Sequence, residues 1–332
     1  MRTAILLLLT LVMVSCGSDG GHFRIEGQFK NLNQGEFLIY SPDGGTGGID
    51  TITVVNGKFT YETVLDRSAT FVILFPNSAE QVVFGEPGKT VTIKGDAYNL
   101  QEMTVKGTGT NKQMTEFRLR ANGLTPPEAK EHAATFVREN PTSQACFYVI
   151  DKYFIKTVEP DYGKAYELAE VMVEADGSNV RAASLGHQLK TLMNSDTGSS
   201  LPHFTAVDLE GDTVTEALYD GRVNVAHVYA SWSYESRSMM WTLRDMKKKL
   251  GDTLSVMTVC IDARPSDCRK TMKKDSITWP VVCDSMMWSS PLLCAFGIAT
   301  VPGNVVYDAG GKAAARGLTS KELKEKINTM KK

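Results

Sequence analysis

Apolar positions change their period twice along this chain of 332 residues. From Phe23 to about Lys106 they fall in short alternating runs separated by turn residues. Ile49 to Val55, then Asn56-Gly57, then Lys58 to Val64 is a hairpin pattern, because Asn-Gly suits the positive φ angles of a tight type I′ turn and both flanks alternate. Further runs at Glu36–Tyr40, Phe71–Phe75, Gln81–Phe84 and Thr90–Lys94 extend it. From about Asn111 to Met193 the spacing becomes helical and predicts about four helices, one opened by Pro127 and another boundary marked by Asn140-Pro141. From Ser199 onward strands and helices alternate: strands at Asn224–Tyr229, Leu254–Ile261, Trp279–Val282 and Asn304–Asp308, helices at Ser238–Leu250, Asp267–Lys274, Ser290–Phe296 and Ser320–Met330. Such alternation predicts a sheet covered by helices on both faces.

The chain therefore divides into an N-terminal all-β, sandwich-like domain over 23–106, a helical connector over 107–198 and a C-terminal α/β domain over 199–332. The expected class is α+β, multidomain. Residues 1–16 precede this body as a leader: Arg2, an apolar stretch from Ala4 to Val14, and Met13-Val14-Ser15-Cys16 at the end. That apolar stretch is shorter than the ~20 residues of a membrane-crossing helix. It resembles a bacterial lipobox, although Met13 stands where leucine is usual. The resemblance implies lipidation of Cys16, which becomes the mature N-terminus, and an address in the cell envelope, anchored to the outer membrane. A plain secretory signal also leads to export. Residues 17–22, glycine-rich, read as a flexible tether.

Composition is ordinary for a globular protein, with 42% hydrophobic and 22% charged residues. With 36 basic and 38 acidic residues the net charge is -2, which argues against a nucleic-acid partner. Gly44-Gly45-Thr46-Gly47-Gly48 lacks the Gly-Lys-Ser/Thr ending of a phosphate loop and reads as a flexible hairpin loop. His132 and His187 lack a second ligand at i+4 and read as surface or packing residues. Besides Cys16 there are five cysteines, Cys146, Cys260, Cys268, Cys283 and Cys294, with no Cys-x-x-Cys and no zinc spacing. Cys146, in an apolar helical run, reads as a small buried hydrophobe. No metal and no cofactor is expected.

The strand-to-helix exit Tyr229-Ala230-Ser231-Trp232-Ser233 is where an open α/β sheet places its ligands. Gly221-Arg222-Val223 through Trp232, with Arg237 and the amphipathic helix, resembles the TlpA-like thiol–disulfide oxidoreductases of the thioredoxin superfamily, relatives of the peroxiredoxins. Leu201–Phe204 with Asp208–Gly211, Val256–Asp262, Trp279–Asp284, Phe296–Ile298, Val301-Pro302 and Val305–Asp308 with Gly310-Gly311 follow in register. The preceding segment resembles a sandwich-like domain of unknown function often found ahead of such domains in envelope lipoproteins. The resemblance implies a thioredoxin-like fold over 199–332, a nucleophilic cysteine at Ser233, a resolving cysteine at Ser236 and a cis-proline at Pro302. Serine stands at both redox positions, and His227 stands where thioredoxins bury an acid.

Three readings follow. In the first, the redox-dead domain binds a protein or extended peptide in the envelope, through Trp232, Ser233, Tyr234, Thr300, Val301 and Pro302, by strand addition at the proline loop. Ser233 then serves as a helix N-cap, with Glu235 at the positive end of the helix dipole and Ser236 three residues after the cap. In the second, the chain is a thiol–disulfide or antioxidant-type enzyme that uses a pair among Cys260, Cys268, Cys283 and Cys294. In the third, the β-rich domain binds an envelope ligand and the C-terminal domain is scaffold. A serine hydrolase built on Ser233 and His227 would also need an orienting acid and an oxyanion hole, which spacing does not supply.

Overall fold

The Asn56-Gly57 turn joins β3 (Asp50–Val55) to β4 (Lys58–Val64) with φ of 53° and 72°, the left-handed pair that a type I′ turn requires. The computed structural model describes residues 21–77, 79–157, 159–194 and 198–331. Cys16 and residues 17–20 of the expected tether lie outside the described residues. The rest of that tether is already structured, since β1 (His22–Lys30) begins at His22 and the Gly21 carbonyl accepts from Leu65 N. Its alternating burial, with Phe23, Ile25 and Phe29 inward, is what fixes the strand.

With β2 (Gln34–Tyr40), β5 (Ala69–Leu74), β6 (Glu80–Gly85), β7 (Thr90–Asp96) and β8 (Asn99–Lys106) the order is β6-β5-β2-β3-β4-β1-β7-β8. The expected sandwich is thus drawn from one continuous sheet. Its two halves are joined at the hairpin tip, because β3 and β4 pair only through Val55 and Lys58. Beyond the tip the strands part and the halves fold face to face. Phe23 of β1 and Phe71 of β5 are four strand steps apart, roughly 19 Å in a flat sheet. Their ring centroids lie 5.2 Å apart. Phe29, Phe37, Phe59 and Phe75 fill the same interior.

Among its described residues the connector holds five α-helices where about four were expected: α1 (Gly109–Ala121), α2 (Pro126–Glu139), α3 (Ala145–Ile150), α4 (Tyr162–Ala175) and α5 (Val180–Asn194). A short π-helical turn, Asp151–Ile155, continues α3. Thr125 and Glu128 form a capping box at the start of α2, ahead of the proline pair. Cys146 is buried, as expected, and desolvation pushes its thiol up to about 12.

In the C-terminal part, β9 (Thr205–Val207) and β10 (Thr213–Thr215) form a small hairpin. The main sheet has the order β13-β12-β11-β14-β15, built from β11 (Val223–Tyr229), β12 (Leu254–Cys260), β13 (Val281–Val282), β14 (Gly303–Asp308) and β15 (Ala313–Arg316). β11 to β13 run parallel, and β14 and β15 are antiparallel additions. α6 (Tyr234–Leu250), α7 (Pro265–Lys274) and α9 (Ser320–Met330) cover one face, α8 (Pro291–Phe296) the other. All seven residues of β11 and of β12 are buried, as strands covered on both faces must be. β13 is shorter than the expected Trp279–Val282, and Pro280, which has no N–H, contributes only its carbonyl, to Thr258 N. Among the described residues no helix is long and apolar enough to cross a membrane.

Candidate functional site

β11 delivers the chain to Ala230–Ser233, and α6 starts at once. Ser233 is the N-cap: it has extended backbone, and its hydroxyl accepts from Ser236 N at 3.2 Å. The Ser236 hydroxyl accepts from Ala230 N at 2.9 Å. Both hydroxyls thereby help to close the strand-to-helix turn. Both residues are buried, while Tyr234 is 72% exposed.

His227 does not reach this turn. Its ring is fully enclosed, Nδ1 lies 3.4 Å from the Thr258 hydroxyl, and Nε2 has no hydrogen-bond partner. Desolvation alone drives its pKa down to about 3, so the imidazole is neutral at any ordinary pH. Among the described residues no hydrogen bond joins Ser233 to a histidine, and the hydroxyl's other neighbour is Glu235 Oε2 at 3.5 Å. The arrangement lacks the nucleophile–base contact that serine catalysis requires.

The Val301–Pro302 peptide bond is cis. Val301 is buried in the same apolar cluster as Trp232, and the Thr300 hydroxyl donates to the Pro302 carbonyl at 3.2 Å. Of the expected peptide-binding residues, Trp232 is only 7% exposed. Tyr40, at the end of β2, stacks on its ring with centroids 5.6 Å apart and an interplanar angle of 2°. Trp288 closes another side at 6.4 Å. Neither partner was foreseeable from motif reading, because both lie far from Trp232 in sequence.

The segment after β2 is fastened over the site from three directions. The Asp43 carboxylate accepts from the Ser41 hydroxyl at 3.0 Å and Thr70 N at 2.7 Å within the β-rich domain. From the connector it accepts from Gln144 Nε2 and Arg181 Nη1, both at 3.1 Å. From the C-terminal part, Trp288 Nε1 donates to the Pro42 carbonyl at 2.9 Å. The glycine-rich loop expected to be merely flexible is thereby placed beside Ser231, Ala263, Arg264 and Met287. A Cβ at Gly47 would overlap the Arg264 guanidinium, so the absence of a side chain there permits the approach.

Beneath this loop lies a cavity of about 840 Å³. Ser231, Trp232 and Asp262, at the carboxyl ends of β11 and β12, form one wall. The parted β3 and β4 form the other, so the seam that folds the sheet also opens the cavity. Asp262 Oδ1 accepts from both Ser231 N at 2.9 Å and the Ser231 hydroxyl at 3.1 Å, while Oδ2 has no partner. Burial raises the Asp262 pKa. Tyr61 is raised to about 12, first by burial and then by neighbouring Asp50, which also faces the cavity.

Spacing gave no metal motif, yet the fold brings three thiols together. The sulfurs of Cys260, Cys268 and Cys283 lie within 4.8 Å of one another, all buried. Cys260 ends β12 and Cys283 follows β13, whose register pairs Val259 with Val282, so the two cysteines come next on adjacent strands. α7 returns over the sheet and supplies Cys268. The neighbouring Cys260 and Cys268 thiols lower the pKa of Cys283. Cys294 does not join them: its sulfur contacts Ser184 of α5, against which α8 packs. A disulfide involving Cys294 and any of the three, left open by sequence, is thus not set up by this fold.

A family profile described as a domain of unknown function (DUF4369) matches residues 23–114. No curated protein matches the chain. Among solved structures, the chain is similar to a thiol-disulfide oxidoreductase from Bacteroides fragilis, with 23% identity over 40% of this chain and 98% of that one, TM-score 0.37. It is similar to the C-terminal domain of a putative thiol-disulfide oxidoreductase from Bacteroides thetaiotaomicron, with 23% identity over 41% and 97%, TM-score 0.37. A putative thiol:disulfide interchange protein from Chlorobium tepidum matches at 21% identity over 42% and 99%, TM-score 0.37.

Proposed function

We propose that the chain is a lipid-anchored envelope protein whose C-terminal thioredoxin-like domain has lost thiol–disulfide exchange and serves to bind a polypeptide segment. The observation that carries this reading is the cavity between the β-rich domain and the carboxyl ends of β11 and β12. It occupies the place where an open α/β sheet meets its ligands, while Ser233 and Ser236 are spent on the helix start. Its rim carries Asp50, Glu62, Asp66, Asp262 and Asp267 against Arg67 and Arg264. Arg264 is already paired with Asp267 at 2.7 Å and Glu62 with Arg24 at 2.6 Å, which leaves Asp50, Asp66 and Asp262 against Arg67, a small acidic surplus that favours a segment bearing lysine or arginine. Because both domains line the cavity, binding by the β-rich domain and binding at the degenerate site become one function.

The test is fluorescence polarisation with labelled extended peptides, matched pairs carrying Lys/Arg or Glu at alternate positions, alongside an insulin-reduction assay. Basic peptides are expected to bind, salt to weaken them, and the Asp50→Asn/Glu62→Gln variant to bind at least several-fold less tightly, with no insulin reduction. Equal binding of the basic and acidic peptides, or reductase turnover by the wild-type chain, would sink the proposal.

A further inference from the structure

Cys260, Cys268 and Cys283 play no part in the function proposed above, and four observations set them apart from ordinary core cysteines. Three sulfurs share one point of the core within 4.8 Å. They come from three different elements, β12, α7 and the segment after β13, so no single local pattern accounts for their meeting. A three-coordinate ion with metal–sulfur bonds of about 2.3 Å needs sulfurs roughly 4 Å apart, so closure requires displacements of less than an ångström. Asp262 stands two residues after Cys260 with Oδ2 unpartnered, and its carbonyl accepts from the Cys283 thiol at 3.4 Å.

The donor set determines the class of ion. Three thiolates with no imidazole among them form a soft, trigonal site, whereas zinc takes four ligands. Asp262 would be the fourth, but its oxygens do not fall within the mutual spacing of the three sulfurs, and one is committed to Ser231. Asp262, whose carbonyl meets the Cys283 thiol, also lines the cavity, as does the soft thioether residue Met287, so Asp262 stands between the cluster and the cavity.

We infer that Cys260, Cys268 and Cys283 form a binding site for one monovalent copper ion, reached through the cavity at Asp262. Loading forms three copper–sulfur bonds. The protons carried by the thiols leave to solvent through the same cavity, and no electron is transferred.

The experiment loads the full mature chain anaerobically with a copper(I)–acetonitrile complex in the presence of bathocuproine disulfonate as competitor. The expected result is one copper retained per chain, with a thiolate-to-copper charge-transfer absorption. Cys268→Ser and Cys283→Ser should each lower affinity at least ten-fold, and Cys146→Ser and Cys294→Ser should leave it unchanged. Should the serine variants fail to fold, alkylation of the wild-type chain decides. Copper should protect Cys260, Cys268 and Cys283 from iodoacetamide in mild denaturant and leave Cys294 unprotected. Complete loss of copper to the competitor, dependence on Cys294, or tighter binding of zinc by the same thiols would overturn the assignment. Peptide binding at the cavity is scored separately, so either proposal can fail alone.

Discussion

Replacing Asp43 by alanine tests whether one carboxylate locks the β-rich domain, the connector and the site into a single unit. The side chain is 12% exposed and accepts four hydrogen bonds, from Ser41, Thr70, Gln144 and Arg181. Truncation strands the Thr70 amide in a residue that is 3% exposed, which costs about 1–3 kcal/mol. It also removes the charge-assisted contacts from Gln144 and Arg181, each worth about 1.5–3 kcal/mol before relaxation. Arg181 keeps its position over the Phe147 ring, 4.1 Å from the centroid, and is exposed enough to be rehydrated, so part of that loss is recovered. The expected destabilisation is about 3 kcal/mol for Asp43→Ala. For Asp43→Asn it is about 2 kcal/mol, because the amide oxygen still serves Ser41 and Thr70 while an N–H group replaces the acceptor of Gln144 and Arg181. The assay is urea unfolding of the mature chain followed by far-ultraviolet circular dichroism, comparing midpoints at equal slope. A loss under about 1 kcal/mol for the alanine variant, or equal losses for the two variants, would refute the reasoning.

Two further predictions follow from the closed state of the site. Ser233→Cys alone should remain slow in thiol exchange, because Trp232 beside it is covered by Tyr40, and the Tyr40→Ala/Ser233→Cys pair should react at least ten-fold faster with a chromogenic disulfide. Equal rates would show that the stacked tyrosine does not shield the turn. His227 makes stability fall on acidification: its folded pKa of about 3 lies below the unfolded value near 6.5, so the unfolded state binds the extra proton between those limits. His227→Gln should flatten the stability profile between about pH 6.5 and 4 by several kcal/mol, and an unchanged slope in urea titrations would remove the histidine from the account.

Much of this was legible from residues alone. Alternation with Asn56-Gly57 dictated the hairpin, because backbone conformation and strand register are local constraints. Ser233 announced itself as an N-cap for the same reason, its hydroxyl needing only the amide three residues on. Other features were invisible because they depend on contacts between distant segments. Glycine 44 to glycine 48 looked like an unconstrained loop, and Asp43, drawing donors from Thr70, Gln144 and Arg181, fixes it over the site together with Trp288 on the Pro42 carbonyl. The stacking of Tyr40 on Trp232 was equally invisible, because the two lie far apart in the sequence.

The cysteines divide the two kinds of information most plainly. Sequence by itself determined that the helix start at Ser233 carries no thiol, since that depends only on which side chain occupies a given position. It also gave the strand and helix periods that define three segments. Only the tertiary structure decided that Cys260, Cys268 and Cys283 converge while Cys294 does not. Their separations along the chain say nothing of this, because parallel pairing of β12 with β13 and the return of α7 over the sheet set those distances in space.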